Sequence, residues 1–439
     1  MFGVLNPRKI LLLVIDILLL YLALLLSLFI GSSGNFSWDF FSKHLFPFTI
    51  LYFFWLIIFY IFGFYDLALF RTPFVFYTRI LIGLGFALVF GVIFFYLIPV
   101  FGITPKINLI LDVLVFGVFV FGWRRLFYFL FSFYFQNKVA IIGSNPQTEE
   151  LVQVIQKNPQ LGYELISFFN PEENIFKKAQ EEKIDTLILA ENLEPHSPLT
   201  KNLYQCLPLK LNFMDLAQAY EIICEKIPIS FVTQTWFLEN LKESEKEFYE
   251  KLKRIIDVIL TSFLLFLTSP SWPFITLAIK LDDRGPIFYF QERVGKGGKV
   301  FLLMKFRSMK ENAEKETGAV WAKKRDPRIT RVGEFLRKTH LDEIPQMINI
   351  LKGDISLVGP RPERPEFVSQ FEKTIPHYHL RHIIKPGFTG WAQVKFPYAR
   401  SVEDSYKKFQ YDLYYLKNRS LILDIRILLK TFELLLRRE

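Results

Sequence analysis

Long apolar stretches dominate the first 135 residues of the chain. Four of them, residues 10–30, 46–64, 80–100 and 107–123, consist almost entirely of leucine, isoleucine, valine, phenylalanine and other apolar residues. A helix needs about 20 such residues to span the hydrocarbon core of a bilayer. The pattern therefore predicts a transmembrane domain of four helices at residues 1–136.

Lysine and arginine in the connecting segments indicate how these helices are oriented, because cytoplasmic loops carry an excess of both. One side of the membrane receives Arg8, Lys9, Arg71, Arg79, Arg124, Arg125 and Lys138. The other side receives only Lys43 and Lys106. Both ends of the domain are thus predicted to be cytoplasmic. Asp16 and Asp112 lie within spans, and we interpret them as polar contacts between helices or with headgroups.

Residues 137–240 alternate between short apolar runs and amphipathic segments. The runs KVAIIG, YELISFF and DTLILA have the composition of buried strands, and EELVQVIQKN and IFKKAQEEK have helical periodicity. This alternation predicts a Rossmann-like α/β module with a parallel sheet. The turn after the first strand begins with Gly143 but lacks the later glycines of GxGxxG. We therefore favour a degenerate regulatory or packing module over a dinucleotide site.

Residues 241–280 predict a charged interfacial helix followed by an apolar run, residues 255–279, that is long enough to cross a bilayer. Basic residues flank the run on both sides, with Lys253 and Arg254 before it, and Ser269-Pro270 interrupts it. A proline inside a helix removes a hydrogen bond and produces a kink. We predict a re-entrant helix that enters and leaves on the same side. The alternative is a fifth span, which would put everything after residue 280 outside the cell.

Residues 281–439 predict a separate α/β domain. Short strands are indicated at residues 286–291, 300–306 and 355–358, and helices at 332–340, 405–419 and 421–436. The last helix is rich enough in leucine to lie on a membrane surface.

Two adjacent carboxylates stand at the centre of this domain. Asp342 and Glu343 open a short apolar segment that has Pro345 in its first turn and Gly353 at its end, as helices commonly do. The surrounding cations are Lys305, Arg307, Arg331, Arg337, Arg361 and Arg364. An acid pair among cations suits a divalent metal with phosphate oxygens. The local pattern alone fits two ordinary acids at a helix start equally well.

Composition narrows the classes of function. The 439-residue chain has a formal net charge of +10, which suits a cytoplasmic membrane surface or a polyanionic substrate. Its two cysteines, Cys206 and Cys224, form no CxxC motif, so zinc, iron–sulfur and disulfide frameworks are not predicted. Nucleic-acid binding is not predicted either, because the basic residues lie in short turns that also contain acids rather than among exposed aromatics.

Several segments of the C-terminal half together resemble a known family. They are KRIIDVILTS, SPSWPF, GPIFYFQERVGKGGKVFLLMKFRSM, DPRITRVGEFLRKTHLDEIPQMINILKGDISLVGPRPERPEF, KPGFTGWAQV and YDLYYLKNRSLILDI. In this order they cover essentially all of residues 253–439, and they resemble the bacterial sugar transferases, which are polyprenyl-phosphate sugar-1-phosphate transferases. The preceding spans and the Rossmann-like module look like the long membrane form of that family.

The resemblance implies a reaction. Sugar-1-phosphate would pass from a UDP-sugar, usually UDP-glucose or UDP-galactose in the long form, to undecaprenyl phosphate, with Mg²⁺ as cofactor and UMP released. This is the first membrane step of exopolysaccharide, capsule or O-antigen synthesis. It implies a multi-pass protein of the bacterial inner membrane with a cytoplasmic catalytic domain, and it is compatible with a homodimer. The alternative is a non-catalytic scaffold or regulator of polysaccharide assembly.

The resemblance also implies roles for individual residues. Asp342 would be the nucleophile and would share the metal with Glu343, while Arg361, next to Pro360, and Asp412 would bind substrate. The basic pair Lys253-Arg254 and the break Ser269-Pro270 would belong to the re-entrant helix. For four cations, substrate contact and structural ion pairing are equally supported: Lys305, Arg307, Arg337 and Arg364. Trp391 could stack on a base or anchor at the membrane.

Overall fold

The N-terminal part of the fold is built from four long apolar helices: α1 Pro7–Gly31, α2 Trp38–Ile61, α3 Pro73–Leu97 and α4 Lys106–Phe129. A π-helical turn, Leu130–Tyr134, extends α4. Each helix contains a stretch that is long and apolar enough to cross a membrane. Helix α2 begins at Trp38 rather than near residue 46, because the Ser37 side chain accepts a hydrogen bond from the Phe40 amide and caps the helix.

This computed structural model describes residues 7–32, 36–67, 73–97, 101, 106–191, 197–311, 313, 326–396 and 401–436. The chain forms two compact units, Met1–Cys224 and Glu225–Arg438. Arg71, which we assigned to the cytoplasmic side of the membrane, lies outside the described residues. Residues 225–240, which we assigned to the Rossmann-like module, belong to the second unit.

Buried polar contacts join helices inside the apolar bundle of α1–α4. The Arg124 guanidinium donates to both carboxylate oxygens of Asp16, at 2.9 and 2.5 Å, and both side chains are fully buried. The Tyr52 hydroxyl donates to Asp112 at 2.9 Å. These pairs join α1 to α4 and α2 to α4, which confirms the interpretation of both aspartates as contacts between helices. Placing each charge or polar group against a partner removes most of the cost of burying it.

We expect Arg124→Ala to destabilise the full chain in detergent micelles by about 3 kcal/mol, because it leaves the Asp16 carboxylate buried without its partner. Denaturant-induced unfolding measures this loss. The double variant Asp16→Leu/Arg124→Leu should recover most of it, since neither charge is then buried. Lys43→Ala is the control, because Lys43 pairs with Asp39 where both side chains are mostly exposed. Equal effects of Lys43→Ala and Arg124→Ala would contradict the account.

A parallel sheet organises the rest of the first unit. Its strands are β1 Asn137–Ile142, β2 Tyr163–Phe169, β3 Thr186–Leu189 and β4 Asn212–Asp215, in the order β2-β1-β3-β4. Its helices are α5 Pro146–Lys157, α6 Ile175–Glu181, α7 Pro198–Gln205 and α8 Leu216–Cys224. All strand pairs are parallel, which confirms the Rossmann-like prediction. The Thr148 amide at the start of α5 donates to the Asn145 side chain, so this amide is already hydrogen-bonded within the protein.

The second unit begins with α9 Gln234–Asn240 and α10 Glu247–Thr268. A 3-10 turn, Ser269–Ser271, connects α10 to α11 Trp272–Asp282 at the predicted break. The charged segment and the apolar segment, which we predicted as two elements, form one continuous helix in α10. Phe263, Phe266 and Phe274 stand exposed around the break. The re-entrant course of this pair of helices stays a prediction.

The remaining elements surround the predicted acid pair. A hairpin of β5 Phe288–Val294 and β6 Val300–Phe306 is followed by α12 Arg331–Lys338 and α13 Gln346–Lys352. A parallel pair consists of β7 Ser356–Val358 and β8 Gly387–Thr389. The other helices are α14 Pro365–Thr374, α15 Trp391–Lys395, α16 Val402–Asn418 and α17 Leu421–Leu436.

A small apolar core fixes the chain beside the acid pair. Ile275 and Ile279 of α11 pack with Phe306 of β6, Leu336 of α12 and Ile344. Ile344 directly follows Glu343, so burying Ile344 in this core holds the preceding carboxylates at a fixed place between the hairpin and α12.

Candidate active site

Asp342 and Glu343 lie on a tight turn between α12 and α13. The 3-10 turn Leu341–Glu343 follows His340, whose positive φ of 57° reverses the chain. Pro345 then caps α13, and Gly353 ends that helix with a φ of 93°. The predicted glycine position is therefore confirmed, whereas Pro345 lies just before the first turn of α13 instead of within it, and the acids also precede the helix.

Two cations hold Glu343 in place. Its Oε1 atom lies 2.6 Å from Lys305 Nζ and 3.1 Å from Arg361 Nη2. Burial alone would raise the pKa of Glu343, but Lys305 and Arg361 together hold that pKa below its usual range. The side chain is therefore a fixed anion that orients the two cations.

Asp342 has a different environment. Burial raises the pKa of its carboxyl group, and Lys305 offsets only part of this effect. Within the part of the chain that the structure describes, no group donates a hydrogen bond to its carboxylate, which lines a cavity. An anion that is desolvated and not hydrogen-bonded is more reactive as a nucleophile than one that is paired.

The cavity has a volume of about 940 Å³, at the upper end of the range typical of small-molecule sites. The β5–β6 hairpin, α12, α14, α16 and the turn after β7 all contribute to its walls. Among the predicted residues it is lined by Lys305, Arg307, Arg337, Asp342, Glu343, Arg361 and Arg364. Sequence reasoning missed further polar lining residues on the hairpin and on α16: Tyr289, Gln291, Arg293, Ser405 and Lys408. Alternation along the strand could have indicated the first three, because Tyr289, Gln291 and Arg293 occupy every second position of β5.

For four cations, the sequence supports substrate contact and structural ion pairing equally. In the structure each of them has a protein partner and also lines the cavity. Lys305 contacts Glu343, and Arg307 donates to the Asp283 carbonyl at 2.5 Å. Arg337 Nε donates to Ser308 Oγ at 2.9 Å, and Arg364 Nε lies 3.6 Å from Glu366. Contact with a protein partner and access to the cavity are therefore compatible at all four positions.

Asp412 lies outside the cavity, behind the turn that carries Arg361. It is buried in α16, 3.0 Å from Arg381 Nη2, and the same nitrogen donates to the Arg361 carbonyl at 2.8 Å. Burial raises the pKa of Asp412 to about 6, and Arg381 opposes this shift. Asp412 is thus linked to the site through Arg381, which contacts the backbone of Arg361. Pro360 shapes the same turn, and its carbonyl accepts from the Gly387 amide at 2.8 Å.

Both interpretations of Trp391 are wrong. The indole is 1% exposed and donates to the Glu225 carbonyl at 2.9 Å. Arg426 and Lys395 lie over its ring. Trp391 is part of the core of the second unit and reaches neither a ligand nor a membrane.

The basic pair of α10 tethers that helix to the rest of the unit. Lys253 Nζ lies 2.7 Å from Asp424 of α17, and the Arg254 guanidinium donates to the carbonyls of Ile350 and Leu351 at 2.6 and 2.7 Å. These carbonyls end α13, the helix that follows the acid pair. The entry of the apolar helix is therefore fixed to the element next to Asp342.

The donor atoms of the acid pair fit magnesium. Both contacts of Glu343 go to Oε1, and Asp342 is free of hydrogen bonds among the described residues. No group of three or more histidines, cysteines or acids that could hold a metal occurs in the described ranges. Mg²⁺ is commonly bound by one or two carboxylates together with waters and substrate phosphates, which matches this set.

The sequence of the chain matches a protein family and several named proteins. The sequence profile of the family described as bacterial sugar transferase matches residues 248–438. The chain is 46% identical over 188 residues to the UDP-N-acetylgalactosamine-undecaprenyl-phosphate N-acetylgalactosaminephosphotransferase of Aeromonas hydrophila, covering 43% of this chain and 44% of that protein. It is 44% identical over 184 residues to the UDP-glucose:undecaprenyl-phosphate glucose-1-phosphate transferase of Xanthomonas campestris, covering 41% of this chain and 37% of that protein. The chain thus spans less than half the length of either relative.

A longer match includes part of the N-terminal unit. The UDP-glucose:undecaprenyl-phosphate glucose-1-phosphate transferase of Klebsiella pneumoniae is 31% identical over 333 residues, which is 68% of this chain and 67% of that protein. Together with the profile match over the unit that contains Asp342, this shows that the chain belongs to the bacterial sugar transferase family.

Proposed function

We propose that the protein transfers sugar-1-phosphate from a UDP-sugar to undecaprenyl phosphate and releases UMP. The observation that carries the proposal is the Asp342 carboxylate, which faces a cationic cavity without a hydrogen bond from any described residue. The names of the relatives support the class of donor and acceptor. They differ in the sugar, since one name specifies N-acetylgalactosamine and another glucose.

The first step is attack by an Asp342 oxygen on the phosphorus that carries the sugar. An O–P bond to Asp342 forms while the bond from that phosphorus to the bridging oxygen breaks, and UMP leaves with the bridging oxygen and its electron pair. In the second step an oxygen of undecaprenyl phosphate attacks the same phosphorus. The Asp342 carboxylate is regained, and the product is undecaprenyl diphosphate sugar. Splitting the transfer in two lets UMP leave before the lipid reacts.

The cations of the cavity reduce the repulsion between anionic reactants. Arg361 presents a guanidinium that can contact a phosphate through two hydrogen bonds, and Lys305 adds a point charge. Glu343 holds both through its Oε1 atom. Magnesium, when bound by Asp342 and Glu343, would neutralise further phosphate charge. In this proposal the protein lies in the bacterial inner membrane with its C-terminal unit on the cytoplasmic face, where nucleotide sugars occur.

The test uses the full chain in nanodiscs with undecaprenyl phosphate. UMP release is measured with UDP-glucose, UDP-galactose and their N-acetylated counterparts, with and without a magnesium chelator. We expect sustained turnover with at least one donor, dependent on both the lipid and magnesium. Binding of UDP-sugars without UMP release from any donor would instead support the scaffold alternative.

A further inference from the structure

A second cavity lies at the base of α10 and shares no residue with the candidate active site. Its volume is about 120 Å³. Its lining contains more cations than acids: Lys253, Arg254, Lys296, Lys385 and Arg419 against Glu250 and Asp257. A small cavity with an excess of positive charge suits an anion of the size of a phosphate group.

Two of these cations are neutralised by acids from neighbouring elements. Lys253 pairs with Asp424 at 2.7 Å. Arg419 donates to Glu243 at 2.8 Å and also contacts Glu250. Each of these contacts involves a carboxylate within hydrogen-bond distance, so neither cation needs a further anion. The excess charge of the cavity therefore resides on the other three cations.

The remaining cations have no described carboxylate within hydrogen-bond distance. Arg254 donates to two backbone carbonyls, and Lys296 Nζ is 3.7 Å from Glu250 Oε2. Over the ranges that the structure describes, Lys385 has neither an ion pair nor a hydrogen bond. Lys385 and Arg254 also meet over Gly353, where an added Cβ would lie 3.3 Å from Lys385 Nζ and 3.5 Å from Arg254 Nη2.

Asp257, one of the two acids in the lining, already has hydrogen-bond partners within the protein. Asp257 accepts hydrogen bonds from Ser356 Oγ and the Leu357 amide, at 2.7 and 3.2 Å. Burial raises the pKa of Asp257, while burial and the charges of Arg254 and Lys296 lower the pKa of Lys385. Three cations that converge on one cavity are stabilised by a bound anion.

We propose that this cavity binds the phosphate of an anionic phospholipid headgroup through Arg254, Lys296 and Lys385. The apolar run of α10 starts directly after Arg254, and its side chains Ile255 and Ile259 are exposed. If α10 enters a bilayer there, the cavity lies at headgroup depth, just outside the hydrocarbon core. The inference rests on membrane insertion of α10 and does not require the transferase reaction.

The site is connected to the Arg361 turn. Lys385 precedes β8, and the Pro386 carbonyl accepts from the Ser356 amide of β7 at 2.8 Å. One residue later the Gly387 amide donates to the Pro360 carbonyl, also at 2.8 Å. A lipid phosphate on Lys385 would therefore restrain the same strand pair that supports Arg361, which links the bound lipid to the candidate active site.

Native mass spectrometry of the full chain in detergent micelles, titrated with phosphatidylglycerol, tests the proposal. We expect Lys296→Gln/Lys385→Gln to weaken phosphatidylglycerol binding about 30-fold, because each lysine near a lipid phosphate adds to the binding free energy. Lys296→Arg/Lys385→Arg should bind phosphatidylglycerol within a fewfold of wild type, because it keeps both charges. This variant also tests whether the fold tolerates substitutions at the two positions. The control is Lys373→Gln/Lys407→Gln, which removes two exposed lysines that do not line the cavity.

Two further probes identify the source of the phosphate. Zwitterionic phosphatidylcholine should bind more weakly than phosphatidylglycerol, and millimolar inorganic phosphate should not displace the bound lipid. Displacement by inorganic phosphate would overturn the lipid assignment in favour of a soluble anion. Equal binding of phosphatidylglycerol by the Gln/Gln variant and the exposed-lysine control would overturn the site itself.

Discussion

Asp342→Asn is expected to lower UMP release by at least about 10³-fold, the scale on which loss of a covalent nucleophile reduces turnover. The amide keeps the size of the side chain but cannot attack phosphorus. The measurement is steady-state UMP release by the full chain in nanodiscs with undecaprenyl phosphate and an accepted UDP-sugar. Glu372→Gln, which removes an exposed acid from α14, is the matched control and should retain full turnover.

Stability separates this loss from misfolding. Burial raises the pKa of Asp342 above its value in the unfolded chain, so above both pKa values the ionised form disfavours the folded state. Removing the charge should therefore leave the unfolding temperature unchanged or higher at neutral pH. Turnover within tenfold of the control would contradict the assignment of Asp342 as nucleophile.

Arg361→Ala is expected to lower turnover by about 10²- to 10³-fold, as removal of a single group that stabilises transition-state charge does. The variant loses the guanidinium that would contact phosphate. Of the two cations that hold Glu343, Lys305 then remains. Arg361→Lys should recover only part of the activity, because an ammonium group cannot form the same pair of parallel hydrogen bonds. The measurement is kcat and KM for UMP release.

Arg331→Ala serves as the control for Arg361, since Arg331 is exposed at the start of α12 and does not line the cavity. It should change kcat by less than about twofold. If Arg361→Ala and Arg331→Ala gave the same kinetics, the cationic turn would have no part in the reaction.

Local patterns in the sequence predicted the elements that depend on neighbouring residues. Apolar length identified the long helices, and short apolar runs identified three strands of the Rossmann-like module. Pro345 and Gly353 correctly marked the two ends of α13. Strand β4 was missed, because its four residues, Asn212–Asp215, include only two apolar side chains.

Contacts between distant residues could not be predicted in this way. Glu343 contacts Lys305 across 38 positions of sequence, and nothing in either segment specifies the pairing. Arg381 reaches the Arg361 carbonyl across 20 positions, so the indirect role of Asp412 is visible only in the folded chain. Trp391 resembles an interfacial aromatic in sequence, but tertiary packing buries it.

The covalent intermediate is the most direct test of the central claim. The full chain is incubated with an accepted UDP-sugar and magnesium, without undecaprenyl phosphate, and is then analysed by intact-protein and peptide mass spectrometry. The account predicts one sugar-phosphate added to Asp342, with one UMP released per active site. UMP release that requires undecaprenyl phosphate, with no adduct on the wild-type chain, would contradict it.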